Sequence, residues 1–216
     1  MPELPEVEEI RGYLEGNSLE KPVIRVTVPD TRVLDNVTPS SLGRGLKRAS
    51  FVAAHRRGKY ILLPTDNEKT LFHMTSEDDI PDIAKLGPEP LSRGFTFKRF
   101  QAIVSPRGNP IHSVLMNQEL IAGIGNIYSD EITFQARIRP DRKASGLSDE
   151  SLRRLFDAMK LVLNRAIELD AELDRYPKDW IIPHRKKGGM CPVCGGALVK
   201  KAIGGRSSYF CPTCQK

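Results

Sequence analysis

If the initiating Met1 is removed, the chain begins with Pro2-Glu3, an imino acid followed by a carboxylic acid. A free secondary amine can add to an aldehyde carbon and give an iminium, as lysine amines do in Schiff-base chemistry. An α-amino group titrates near ~8, about two units below lysine, so a useful fraction is neutral at physiological pH. Glu3 stands next to it as a proton donor or acceptor. The plainer reading is that Pro2 only limits N-terminal processing, and that Glu3, Glu6, Glu8 and Glu9 complement a helix dipole. Residue chemistry alone leaves both open.

The opposite end carries a second constellation, because all four cysteines fall into two C-x-x-C pairs, Cys191–Cys194 and Cys211–Cys214. Two such knuckles can bring four thiolates around one tetrahedral zinc. Two disulfides suit neither the short loops nor a reducing compartment. Between the pairs, Ala197 to Ile203 reads as a strand, Gly204-Gly205 as a two-residue turn and Ser207 to Phe210 as the returning strand. Arg206 then sits at the tip of a zinc ribbon, where it can probe a phosphate or a groove, although a solvated arginine is the default there.

A third candidate is Gly123-Ile124-Gly125-Asn126 between two helical patterns. Glycines permit close backbone approach, and free N–H groups at the next helix start can hold a phosphate. Asn126 can cap that helix or donate to the phosphate; ordinary helix turns use glycine too.

These residues need elements to hold them. Residues 5 to 16 read as a helix, with Pro5 in its first turn and Val7, Ile10 and Leu14 on one face. Short strands are expected over Val23 to Val28, Gly45 to His55, Lys59 to Leu63 and Lys98 to Val104, with Arg56-Arg57-Gly58 as a hairpin turn. Lys59 opens the strand after that turn; a solvated edge charge is the plain alternative. Met74 to Phe95 is acidic and Pro-rich and reads as a linker. Helical patterns follow through Val114 and Leu115, from Asn126 to about Arg137, and from Ser148, an N-cap, through Leu152, Leu155, Met159, Val162 and Ile167. The fold class is therefore α+β: an N-terminal helix with an antiparallel β-sandwich, then a helical half and a zinc ribbon. The expected units are 1–92, 93–188 and 189–216.

The 216 residues suit one large or two modest domains. A formal charge of +6 and a pI near 9.2 suit an anionic partner, nucleic acid or an anionic membrane surface. No apolar run approaches a membrane span and no secretory signal precedes the acidic opening, so a soluble, intracellular protein is expected.

Four blocks, taken in order, look familiar: M-P-E-L-P-E-V-E at the start, H-R-R-G-K-Y at 55–60, N-Q-E-L-I-A-G-I-G-N-I-Y-S-D-E at 117–131, and G-R-S-S-Y-F-C-P-T-C-Q at 205–215. Together they resemble the formamidopyrimidine-DNA glycosylase and endonuclease VIII family of helix-two-turn-helix, zinc-finger base-excision enzymes, and are nearer its formamidopyrimidine, or 8-oxoguanine, branch. The resemblance implies a DNA glycosylase with β/δ-elimination lyase activity at abasic sites, acting on oxidised purines in double-stranded DNA. Pro2 would attack the sugar C1′ and Glu3 would handle protons at the opening sugar. Lys59, Asn126 and Arg206 would contact phosphate around the lesion, with Lys59 and Arg206 assisting elimination. Cys191, Cys194, Cys211 and Cys214 would hold one structural zinc, and Glu6 would brace the N-terminus. The resemblance also implies a monomer in a bacterial-type cytoplasm, reaching the nucleoid through DNA.

The chain departs from the family pattern in two places. Only Met74 to Lys85 separate His73 from Leu86-Gly87-Pro88-Glu89-Pro90-Leu91, where the family carries several tens of residues. No Arg-Arg-Phe-Gly, the family's void-filling motif, occurs, and Met74 is out of register with the void-filling methionine, so the sandwich is shortened. The segment from Leu169 to Gly189 is also short, and its Glu172, Tyr176 and Trp180 match no base-reading role. The rival readings are a truncated protein that binds lesions or abasic sites without catalysis, and a zinc-ribbon protein-interaction module.

Overall fold

Helix α1, Leu4–Asn17, is fixed at its start by Glu6, whose carboxylate accepts the Glu3 N–H at 2.9 Å, and by Pro5, whose missing N–H costs nothing in a first turn. The computed structural model describes residues 2–66 and 80–216. Leu4, Pro5 and Val7 are buried, whereas Ile10, expected on the same inward face, is 42% exposed. The face is apolar, and among the described residues its second half is only partly covered.

The expected sandwich strands are mostly replaced by single bridges among the described residues. Val23 to Val28 forms no strand; Val23 N–H donates to Ala49 O and Arg48 N–H to Val23 O, and Ile24 is 90% exposed. Pro22 and Pro29 flank it, which limits ladder donors. Within Gly45 to His55, the first residues belong to helix α2, Pro39–Leu46. Thr38 opens α2 by accepting the Ser41 N–H, while Ser41 Oγ accepts the Thr38 N–H. Ser50 and Phe51 make only bridges.

A true hairpin does form. Strands β1, His55–Arg57, and β2, Tyr60–Leu62, pair antiparallel with Arg57 opposite Tyr60. The turn is therefore Gly58-Lys59, one step later than expected: Gly58 supplies the φ of +59°, and Arg56 and Arg57 lie in the strand. His73, Met74 and the first residues of the expected linker lie outside the described residues.

The rest of that linker is ordered packing. Helix α3, Pro81–Ala84, leads into Leu86 to Pro90, where Gly87 N–H donates to Gln118 O and Ala122 N–H to Pro88 O. A Cβ on Gly87 would lie 2.5 Å from the Leu120 carbonyl carbon, so only glycine fits there. Glu89 accepts from Arg56 at 2.8 Å and also from Arg57 and the Gly58 N–H, clamping the hairpin to the helical half.

Lys98 to Val104, expected as a strand, lies in helix α4, Phe97–Val104, opened by Thr96, which accepts the Arg99 N–H. Phe100 and Val104, four apart, are buried together, a spacing the alternating pattern had hidden. Helices α5, Ile111–Met116, α6, Asn126–Gln135, and α7, Asp149–Glu168, follow. Ser148 caps α7 as expected, accepting the Ser151 N–H. Phe95, Phe100, Ile132, Leu155, Met159 and Trp180 join one core built almost wholly from this half.

The chain ends in the expected ribbon, with β3, Val199–Ile203, paired to β4, Arg206–Phe210, and Gly204-Gly205 turning at positive φ. It docks on α6 through Phe134, Ile181, Cys191 and Cys211. Among the described residues, no helix is long and apolar enough to cross a membrane.

Candidate active site

The turn before α6 and the start of α1 are one structure. Gly125 N–H and Tyr128 N–H donate to Glu3 Oε2 at 2.9 and 3.2 Å, and Ile127 N–H donates to Oε1 at 2.9 Å. The anion at this helix N-terminus is thus the protein's own carboxylate, so these N–H groups are not open to a phosphate. Leu4 N–H donates to Gly123 O at 3.0 Å and completes the seam. Both glycines are required: a Cβ on Gly125 would lie 2.3 Å from Glu3 Cδ, and one on Gly123, at φ +90°, would lie 2.7 Å from Leu4 Cδ1. Gln118 pins the turn by donating to Ile124 O and accepting the Gly123 N–H.

Burial raises Glu3 above the usual carboxylate range, and the backbone N–H groups of Ile127 and Tyr128, with Lys59, oppose that rise. Lys59 is half-buried in the hairpin turn; desolvation lowers it below an ordinary lysine, Glu3 and Glu6 draw it back, and Arg206 pushes it down again. Four charged groups from three elements, the start of α1, the hairpin turn and the ribbon, therefore share one electrostatic field. Pro2, beside them, is exposed and lines a cavity of about 660 Å³ with Lys59, Val7, Ile10, Tyr60 and Leu86.

Arg206 is exposed at the ribbon tip, as the spacing predicts. Asn126 does not cap α6, whose N-cap is Gly125; its Nδ2 donates to Ser207 O at 2.9 Å and its Oδ1 is buried without a partner. It ties the ribbon to α6 one residue from Arg206. Asp130, buried on the same helix, accepts from Ser208 Oγ at 2.6 Å, from the Tyr209 N–H at 2.9 Å and from Arg185. His112 Nε2 stands 3.3 Å from Asp130 Oδ1 without hydrogen-bond alignment.

The four cysteine Sγ atoms lie within 4.8 Å of one another, with Cys191–Cys214 at 3.8 Å and Cys194–Cys211 at 3.5 Å. Tetrahedral zinc with Zn–S bonds of about 2.3 Å needs S···S edges of about 3.8 Å, so the donor set fits one zinc, and four thiolates leave no place for a water. The zinc is structural.

Three family models cover the chain in order: a formamidopyrimidine-DNA glycosylase N-terminal domain at 1–77, its H2TH domain at 86–176, and a zinc finger found in FPG and IleRS at 188–216. A formamidopyrimidine-DNA glycosylase of Listeria innocua is 30% identical over 274 positions, covering all of both chains. The chain belongs to the formamidopyrimidine-DNA glycosylase family. A Thermus thermophilus glycosylase of the same name is 31% identical over 269 positions, covering 100% of this chain and 98% of its own. The crystal structure of the Thermus thermophilus MutM (FPG) protein superposes with a TM-score of 0.81 at 29% identity, covering 99% of this chain and 98% of that one. A Lactococcus lactis FPG mutant in complex with Fapy-dG containing DNA gives 0.83 at 25% identity over the whole of both chains. Alignments of 274 positions against 216 residues mean that this glycosylase-family chain lacks stretches its relatives carry.

Several site-building residues carried no sequence signal. Tyr128 and Asp130 fell within the helical pattern that starts at Asn126, and Glu89 within the expected linker. Tyr176 lay in a segment with no recognisable pattern. Their partners are 122, 31, 78 and 48 residues away, beyond any local periodicity.

Proposed function

We propose that this protein is a bifunctional DNA glycosylase and abasic-site lyase acting on oxidised purines in double-stranded DNA. Freed of Met1, Pro2 attacks C1′ of the damaged nucleotide; the base departs and an iminium links sugar and protein. Glu3 moves the proton at the opening sugar, and its raised pKa suits that task. Lys59, cationic yet below an ordinary lysine, and Arg206 sit by the phosphates that leave in the β- and δ-eliminations. Lys59, Asn126 and Arg206 grip the backbone from three elements, as base flipping requires, and Asn126 exchanges Ser207 O for a phosphate oxygen on binding. The units 1–92, 93–188 and 189–216 act as one monomer that clamps DNA, in a cytoplasm where the nucleoid supplies the substrate.

The observation that carries this reading is the Glu3 carboxylate locked on the α6 N-terminus, because it fixes the adjoining Pro2 beside Lys59. Borohydride is expected to trap the protein covalently on abasic-site DNA, and Pro2→Gly to abolish most of the trap. Saturable binding to that DNA with no trap and no strand cleavage would instead make it a lesion-binding protein.

A further inference from the structure

Glu6 has two distinct duties. Its Oε2 accepts the Glu3 N–H at 2.9 Å, and its Oε1 accepts the Tyr128 hydroxyl at 2.8 Å. The Tyr128 oxygen lies 2.6 Å from the Tyr176 hydroxyl. A tyrosine has one hydroxyl proton and a carboxylate has none, so with Tyr128 donating to Glu6, Tyr176 must donate to Tyr128. The relay then runs in one direction, Tyr176 to Tyr128 to Glu6, and Glu6 closes on the peptide that follows Pro2.

We propose that Tyr176 is a positioning residue of the site: through Tyr128 and Glu6 it sets the attitude of the Pro2–Glu3 peptide. The inference rests on Pro2 being the nucleophile. Tyr176 is well placed for it. It is 5% exposed, its ring packs on Trp180 at 5.0 Å, and the segment that bears it is pinned further on by Ile182 N–H donating to Glu131 at 2.9 Å. Burial keeps both hydroxyls protonated, raising Tyr128 strongly and Tyr176 to about 12. The titratable groups around the relay are Glu3 at the N-cap of α1, Lys59 in the hairpin turn and Glu131 on α6. In a low-dielectric site, successive hydrogen bonds polarise one another, so the outermost donor matters to the innermost acceptor. The short segment after α7, which matched no base-reading role, thereby reaches the reacting end of the chain without touching the substrate.

The test is single-turnover borohydride trapping on a double-stranded oligonucleotide with one abasic site, alongside equilibrium binding of the same DNA. Tyr176→Phe removes one oxygen and is expected to slow trapping roughly three- to tenfold, the scale of one hydrogen bond, with the Kd unchanged. In a Glu6→Gln background the same change is expected to have no further effect, because the relay is already cut. Leu173→Ala alters an exposed side chain of the same segment, leaves the relay intact and is expected to trap at the wild-type rate. Equal trapping by wild type and Tyr176→Phe would overturn the inference, and so would equal slowing in the Glu6→Gln background or by Leu173→Ala. No trap by the wild type overturns the lyase reading itself, and this inference with it.

Discussion

Residues 18–66 and the helical half between Phe95 and Ile182 are built to different standards. In the first, Ile24, Val33 and Val52 are 90%, 73% and 51% exposed, and two strands of three residues are the longest ladder among the described residues. In the second, Phe100, Ile132, Leu155 and Met159 are fully buried in one continuous core. Yet the start of the chain, which adjoins the first region in sequence, belongs to the second by contact. Glu3, Leu4 and Glu6 bond to Gly123, Gly125, Ile127 and Tyr128, and the hairpin bearing Lys59 is clamped by Glu89. A site can therefore be held rigidly by a neighbouring unit while the segment it nominally belongs to is thinly packed. This offers one route by which a shortened chain keeps its chemistry.

The largest effect is expected at the seam. Gly125→Ala puts a methyl where Glu3 Cδ now sits and is expected to slow trapping about a hundredfold, the scale of a displacement near 1 Å. Gly43→Ala, whose Cβ meets nothing within 4 Å, is expected to leave the rate unchanged. Equal rates for the two variants would show that the seam does not hold the site.

Truncation in each region gives a smaller effect, measured by urea unfolding. Met159→Ala in α7 is expected to cost about 2–5 kcal/mol, because a buried side chain leaves a cavity. Ile24→Ala is expected to stay within about 0.5 kcal/mol, because its side chain is already in water. Comparable losses would mean that the first region is as well packed as the second.

A pH dependence confined to the helical half completes the comparison. Burial raises Glu131 from 4.5 to about 8, while Ile182 N–H and Gln135 stabilise its charge only in part. Between those values the folded state binds more protons than the unfolded one, so stability falls as pH rises through that window. Thermal melts are expected to show Tm falling from about pH 5 to about pH 8, and Glu131→Gln to flatten that slope. A slope unchanged in the variant would assign the dependence to another group.

Local chemistry was legible from the residues wherever it depends on neighbours in the chain. Pro5 and Ser148 mark helix starts, Gly204-Gly205 marks the ribbon turn, and the cysteine spacing marks the zinc. The misreadings have physical causes. Lys98 to Val104 mixes apolar and polar residues in a way that fits both a strand and a helix, and only the core facing Phe100 and Val104 decides between them. The strands expected between Val23 and His55 have suitable side chains but, among the described residues, no partner strands to complete their ladders. Leu86 to Pro90 reads as a linker because prolines and a glycine dominate it, yet those residues make close contact with Glu119 and Leu120.

The chain of residues carries the inventory: a proline and a glutamate at the start, a lysine in a tight basic hairpin, a glycine-bounded helix start, an arginine at a ribbon tip and four thiolates. It also determined the family, because those groups recur in fixed order. What each group faces was set by the fold. It gave the helix N-terminus to Glu3 rather than to a phosphate, turned Asn126 toward the ribbon, and put Tyr176 at the head of a relay to Glu6. The physical reason is range. Caps, turns and metal knuckles close over a few residues, whereas a buried carboxylate must find its donors wherever packing brings them, here more than a hundred residues along the chain.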